Sequence, residues 1–175
     1  MPKIDLDLNP VDHITADAIG KPGERVFFLQ AVSGMQTVTL LIEKLQIQSL
    51  ATGVAEFFDE LLRHYPDLPA FSENFEEERM HIQPPVMPLF RVGSLGLAYD
   101  AESDRAILVA HEILGAGQEP EDVSEIRFWC TRKQLADLAN WGSEVTSRGR
   151  QICPLCGQPM DPAGHLCPKK NGHSH

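Results

Sequence analysis

Arg25-Val-Phe-Phe-Leu-Gln-Ala-Val32, Ser33-Gly34 and Gln36-Thr-Val-Thr-Leu-Leu-Ile42 decide the fold, because the period of the chain changes straight after them. Both outer segments are rich in β-branched and aromatic residues, and the short Gly-containing turn between them predicts an antiparallel hairpin. Beyond it, Ile47, Leu50, Ala51, Val54, Phe57, Phe58, Leu61 and Leu62 recur at helical spacing, which predicts a helix over 46–63 with one wide apolar face. Pro66 and Pro69 end it. Upstream, His13–Ala18 alternates weakly and predicts an edge strand before the loop Gly20–Gly23.

Downstream, 66–88 is acidic and bounded by prolines, and reads as a solvated connection. Phe90–Tyr99 and Arg105–Leu114 predict a second hairpin, and Val123–Cys130 a further strand. Thr131-Arg-Lys-Gln134 has the capping-box form, in which hydroxyl and amide each satisfy a free backbone N–H. It opens a helix over 132–148 that turns Leu135, Leu138, Ala139, Gly142 and Val145 inward. The predicted body is thus α+β: a largely antiparallel sheet with two helices on one face. Its expected core includes Phe27, Leu29, Leu40, Ile42, Leu50, Val54, Phe58, Leu97, Ile107, Ile126, Phe128, Leu135 and Leu138. A short internal match, with Gln134 placed 88 positions after Gln46, points to two similar strand–strand–helix halves.

The 175-residue chain divides into a body, 1–149, and a tail, 150–175. The body carries 12 basic and 24 acidic side chains, a balance of −12, which disfavours nucleic acid and favours a basic protein partner. No apolar run approaches the roughly 20 residues that cross a bilayer, and Pro2–Asp12 lacks the pattern of a signal peptide. No membrane association and a cytoplasmic location are expected. The tail holds Cys153-Pro-Leu-Cys156-Gly, and His165-Leu-Cys167 follows nine residues later. Clustered thiols without a secretory signal read as a metal site. Cys153, Cys156 and Cys167, with His165 as fourth ligand, form a closed set for one structural Zn²⁺; His173 is the alternative fourth ligand.

Other constellations point elsewhere. Cys130 alternates with Ile126 and Phe128 and is expected in the core rather than as a nucleophile. His13, His64, His81 and His111 are scattered through the chain, and His64 is expected as a solvated group at a helix end. Gly93 and Gly96 inside a strand mark a bulge or a close backbone approach. Arg25, Arg91 and Arg127 lie in or beside strands, where arginines either pair with Glu43, Asp100 and Glu125 or bind an anion bidentately. Two functions follow. The first is a non-catalytic binding or adaptor protein whose zinc tail is a contact module. The alternative is an enzyme acting on a phosphorylated or carboxylated small molecule, with these arginines as clamps and Glu43 or Asp100 as base.

Longer motifs carry a family resemblance: Gly20-x-Pro22-Gly23-x-Arg25-x-Phe27-x-Leu29-Gln30, Glu43-Lys44-x-Gln46, Phe90-Arg91-Val92-Gly93-x-x-Gly96-Leu97-x-Tyr99-Asp100, and the tail from Cys153 to Gly172. Over nearly its whole length the chain resembles the bacterial family catalogued as domain of unknown function 3090, found in Actinobacteria and Chloroflexi-type bacteria. The resemblance implies a place in a recurring trio beside a phosphoglycerate-mutase-like phosphatase and a distant lipid-kinase-like protein, but no reaction. It also favours His165 over His173, because a histidine at the latter position is less regular in the family.

Overall fold

A computed structural model describes residues 2–21 and 23–148, together with Leu155. It is the expected α+β body: β1 (Asp5–Leu8), β2 (His13–Ile19), β3 (Val26–Ser33), β4 (Gln36–Ile42), α1 (Lys44–His64), β5 (Pro88–Asp100), β6 (Arg105–Glu112), β7 (Glu125–Cys130) and α2 (Arg132–Arg148), with a 3-10 turn at Glu77–Met80. The strands form one sheet in the order β1-β7-β6-β5-β4-β3-β2. Neighbours are antiparallel except at two junctions, β4 with β5 and β7 with β1.

Strict alternation in β6 and β7 shows why the helices share one face. Ala106, Leu108 and Ala110, and Ile126, Phe128 and Cys130, are buried, while the residues between them are half-exposed. Leu108 sits opposite Phe128 and Leu97, and that apolar row faces the helices. Where α2 crosses α1, a Cβ on Gly142 would lie 2.8 Å from the Cγ2 of Ile47, so the approach requires glycine. Leu135, Leu138, Trp141 and Val145 of α2 and Ile47, Leu50 and Val54 of α1 complete the core.

The two halves share topology: β2-β3-β4-α1 and β5-β6-β7-α2 are each two antiparallel pairings followed by a helix. They also share the joint that binds them. The Gln46 side-chain oxygen accepts from the N–H of Glu43 (2.8 Å), and its amide donates to the carbonyl of Val92 (3.0 Å) at the start of the other half. Gln134 repeats this, accepting from the Thr131 N–H (2.8 Å) and donating to the carbonyl of Val11 (3.1 Å). The hydroxyl of Thr131 accepts from the Gln134 N–H (3.0 Å), completing the expected capping box. Val11 N–H donates to the carbonyl of Trp129 (3.0 Å) and Asp12 N–H to that of Val32 (2.7 Å), so one short segment bonds to β7 near one end of the strand order and to β3 near the other.

Three expectations need correction. Asp5–Leu8, read without a structural role, is a strand, because β7 lies beside it in parallel. Ile107 leaves the core list: it pairs with Trp129 on the helix-free face and is only half-buried. The 66–88 segment is no simple solvated connection. Met80 is buried among core residues and its carbonyl accepts from the Thr15 hydroxyl (2.5 Å), while Gln30 exchanges two hydrogen bonds with the backbone of Gln83. It is a strap across β2.

Gln134→Ala removes an N-terminal cap and leaves the carbonyl of Val11 without its donor, which should destabilise the body by about 1–3 kcal/mol in urea unfolding. Gln134→Glu keeps the cap acceptor but loses the donor, and should fall between wild type and Gln134→Ala. Equal stability of all three would remove the joint from its role.

Candidate functional site

The geometry of β5 sets up the site. β4 pairs with it only at Thr39–Pro88 and Leu41–Arg91, because β4 ends at Ile42 and the chain turns into α1. β5 runs on to Asp100, held by β6 on one side only. The Gln46 amide reaches the carbonyls of Val92 and Gly93. From Ser94 onward the described residues offer that outer edge no hydrogen-bond partner. Gly93 forms the bulge that the sequence anticipates, since a Cβ there would lie 2.7 Å from the Cα of Ile113.

Between this edge and α1 lies a groove of about 330 Å³, walled by Leu45, Ser49, Leu50 and Gly53 of α1 and by Leu95 and Leu97 of β5. Leu45 is 75% exposed at its mouth, and Met87, Leu89, Ile113 and Leu114 are exposed along and beside the first half of β5. On the sheet face beside the groove, the His111 imidazole bridges the Ser94 hydroxyl (3.4 Å) and the Glu125 carboxylate (2.6 Å).

The other half has the equivalent groove, and the strap crosses it. The interval that relates Gln46 to Gln134 relates Gly53 to Trp141 and Leu45 to Lys133. Trp141 is 1% exposed, packed edge-on by Phe75 (6.1 Å) and His81 (5.3 Å) of the strap. Lys133 donates to the carbonyls of Ser72 (2.9 Å) and Asn74 (2.7 Å). Asp17 accepts from the Ile82 N–H (3.1 Å) and holds the His81 ring through Nδ1 (3.1 Å). A cleft of about 340 Å³ remains under the strap, lined in part by His13, Arg79, Lys133 and Asp137. Burial pulls the His13 pKa down and pushes that of Asp137 up.

The three arginines do not converge. Arg25 lies over the Phe27 ring on the helix side and donates to the carbonyl of Val145 (2.9 Å). Arg91 pairs with Glu43. Arg127, two strands away on the helix-free face, is enclosed by Asp5 (2.6 Å), Asp7 (2.7 Å) and Glu125. Asp100 caps its own turn, accepting from the Ser103 N–H (3.1 Å). Cys130 is fully buried and its thiol is pushed up to about 12 by burial, as a core residue should be. His64 is exposed and meets Glu60 (3.1 Å). Cys153, Cys156, His165, Cys167 and His173 lie outside the described residues. Sequence reading missed the groove; its one local signal is Gly53, a helix-weakening residue in the middle of α1.

Asp7 offers a pH test of the charged face. Hydrogen bonds from Arg127 and then from the Trp129 indole (2.8 Å) lower its pKa to about 2. A depressed carboxylate contributes stability above its unfolded value of 3.8 and loses it as pH falls toward 2. The stability gap between wild type and Asp7→Asn in urea should therefore be widest at neutral pH and narrow steadily below about pH 4. The Trp129 emission should shift over the same window in wild type only. A gap independent of pH would contradict this.

No helix among the described residues is long and apolar enough to cross a membrane. Comparison with curated proteins finds no match, and neither does comparison with solved structures. The family comparison agrees with the motif reading: residues 6–167 match the model of a family described as protein of unknown function (DUF3090), and the chain belongs to that family.

Proposed function

We propose that this chain is a non-catalytic binding or adaptor protein whose acidic body docks a basic protein partner at the groove between α1 and β5. The observation that carries this reading is the groove itself, walled by Leu45, Leu50, Leu95 and Leu97 with Leu45 exposed at its mouth, in the one of the two equivalent positions that the strap leaves uncovered. Scattered apolar residues are normal on a protein surface, whereas an apolar groove left open to solvent marks an interaction site. The body's balance of −12 selects a basic partner by steering and by excluding acidic ones.

A photo-crosslinking amino acid at Leu45 or Ser49, introduced in the native cell, should capture a basic protein. The same group at Met35, exposed on the β3–β4 turn, should not. Capture from all three positions alike, or from none, would sink the proposal. Comparing partners of the full chain with those of a chain ending at Gly149 measures what the tail adds; identical sets would remove the tail from binding.

The tail, in this reading, holds one structural Zn²⁺ through Cys153, Cys156, Cys167 and His165 in a reducing cytoplasm. Three thiolates and an imidazole form a closed tetrahedral set suited to zinc and leave no place for a reacting water. Purified protein should contain about one zinc per chain, lost in Cys153→Ser/Cys156→Ser, while the body's main unfolding transition stays nearly intact. His165→Ala should weaken zinc binding more than His173→Ala does; the reverse order would move the ligand to His173. Metal content near zero under reducing, zinc-replete conditions would refute the site.

A further inference from the structure

Resting on the proposed partner-binding role, we infer that the groove is an edge-strand addition site: it takes an extended basic segment of the partner along the outer edge of β5, with one large aromatic or aliphatic side chain set into the slot over Gly53. Three observations converge on this occupant.

The first is the unpaired edge. Buried or half-buried backbone groups nearly always find partners, and an open strand edge is a template for another strand. Beyond Gly93 the outer side of β5 faces the groove with no partner among the described residues.

The second is the contrast between the halves. At the position equivalent to Trp141, α1 has Gly53, and a Cβ added there would meet nothing within 4 Å. The protein's own packing therefore does not require glycine, although glycine in a helix interior is unfavourable by about 1 kcal/mol relative to alanine. The same space in the other half is taken by an indole ring with Phe75 and His81 laid against it. Here it stands open and apolar, of a size for a side chain arriving from outside.

The third is charge. Past Gly53, α1 continues to Glu56 and Asp59, and past Leu97 the chain of β5 continues to Asp100 and on to Glu102 in the turn. None of the four has a basic partner among the described residues, whereas Glu43 and Asp104 nearby are paired with Arg91 and Arg132. Unpaired carboxylates on the two segments that run on from the groove walls favour Lys or Arg flanking the apolar anchor.

The test uses the full-length, zinc-loaded protein and four labelled ten-residue peptides. In the first, Trp, Val and Ile alternate with Lys; in the second, Glu replaces Lys. The third is the first with alternate amides N-methylated, and the fourth has its order scrambled with a central proline. The Lys peptide should bind, and amide hydrogen exchange should slow at Ser94–Leu97. The Glu peptide should bind at least about tenfold more weakly, and the N-methylated and proline peptides should not bind measurably.

Gly53→Trp, which fills the slot, should lower affinity for the Lys peptide by about tenfold or more. Should that variant fail to fold, the N-methylated peptide against wild type remains decisive. Gly53→Ala should instead raise Tm by about 2–6 °C, because it strengthens the helix in open space.

Binding without protection at Ser94–Leu97 overturns edge addition, as does equal binding of the N-methylated peptide. Equal binding of the Glu peptide overturns the charge assignment. Self-association that protects the same amides in sedimentation and exchange experiments makes a second copy the occupant and overturns the partner. If a basic protein still crosslinks at Leu45 or Ser49 while those amides stay unprotected, this docking mode fails and the binding role stands. If crosslinking fails as well, both fail.

Discussion

At each parallel junction of the sheet, one strand stops because the chain must turn into a helix, and its neighbour continues alone. β4 ends at Ile42 and β7 at Cys130, each followed almost at once by a helix. β5 then extends past β4, and the chain that runs beside β7 as β1 extends past it through Val11 into β2, each with an outer edge that no other described strand reaches. Backbone groups on such an edge must be satisfied by something else or left to water. The placement of the glutamine joints, the strap and the open groove all follow from this one requirement. Gln46 and Gln134 close the first carbonyl beyond each junction, where a side-chain amide on the first helical turn has the reach to do so.

The halves then diverge in how they treat the rest of the edge. On β2 and its neighbour β3, polar side chains point to the strap: Thr15, Asp17 and Gln30 are buried, and each bonds a backbone group between Met80 and Gln83. Burying such groups is unfavourable unless their bonds are complete, so the strap and these three residues depend on one another. Trp141 supplies the apolar anchor for the same segment. On β5 the corresponding stretch is Gly96, Leu97 and Ala98, with neither polar hooks nor a bulky anchor. Nothing there would hold the chain's own backbone, and the groove remains available.

The charged residues serve the sheet and its turns. Arg127 brings β1 and β7 together, because Asp5, Asp7 and Glu125 surround its guanidinium on the face the helices leave uncovered. Arg132 joins Asp104 at the β5–β6 turn, whose carboxylate also accepts from the Tyr99 hydroxyl (2.7 Å). The Asp5, Asp7 and Asp104 carboxylates of these pairs are largely exposed, and such pairs add little stability individually. Their geometry nonetheless accounts for Arg91 and Arg127 without an anion, while Arg25 is accounted for by Phe27 and a helix carbonyl.

The sequence by itself determined the elements whose signals are local. The period change after Ile42, the Thr131–Gln134 capping box and the alternation through Ile126, Phe128 and Cys130 place both helices, the two hairpins and the core face, because these patterns repeat within one or two turns of chain. The match between Gln46 and Gln134 likewise made the two halves legible. Tertiary structure decided whatever depends on a distant neighbour. Asp5–Leu8 becomes a strand only because β7, some 120 residues later, lies beside it. Ala106–Ala110 is apolar throughout, so no alternation could tell Ile107 from Leu108 until Phe128 took the helix-facing place. The acidic 66–88 segment carries apolar contacts at Phe71, Phe75 and Met80, too irregularly spaced for a periodic signal, and the groups that fix its backbone lie on β2, β3 and α2. The groove is more distant still from local reading: it is the space left where β4 stops and β5 does not, set by strand register, and no single stretch of the chain encodes it.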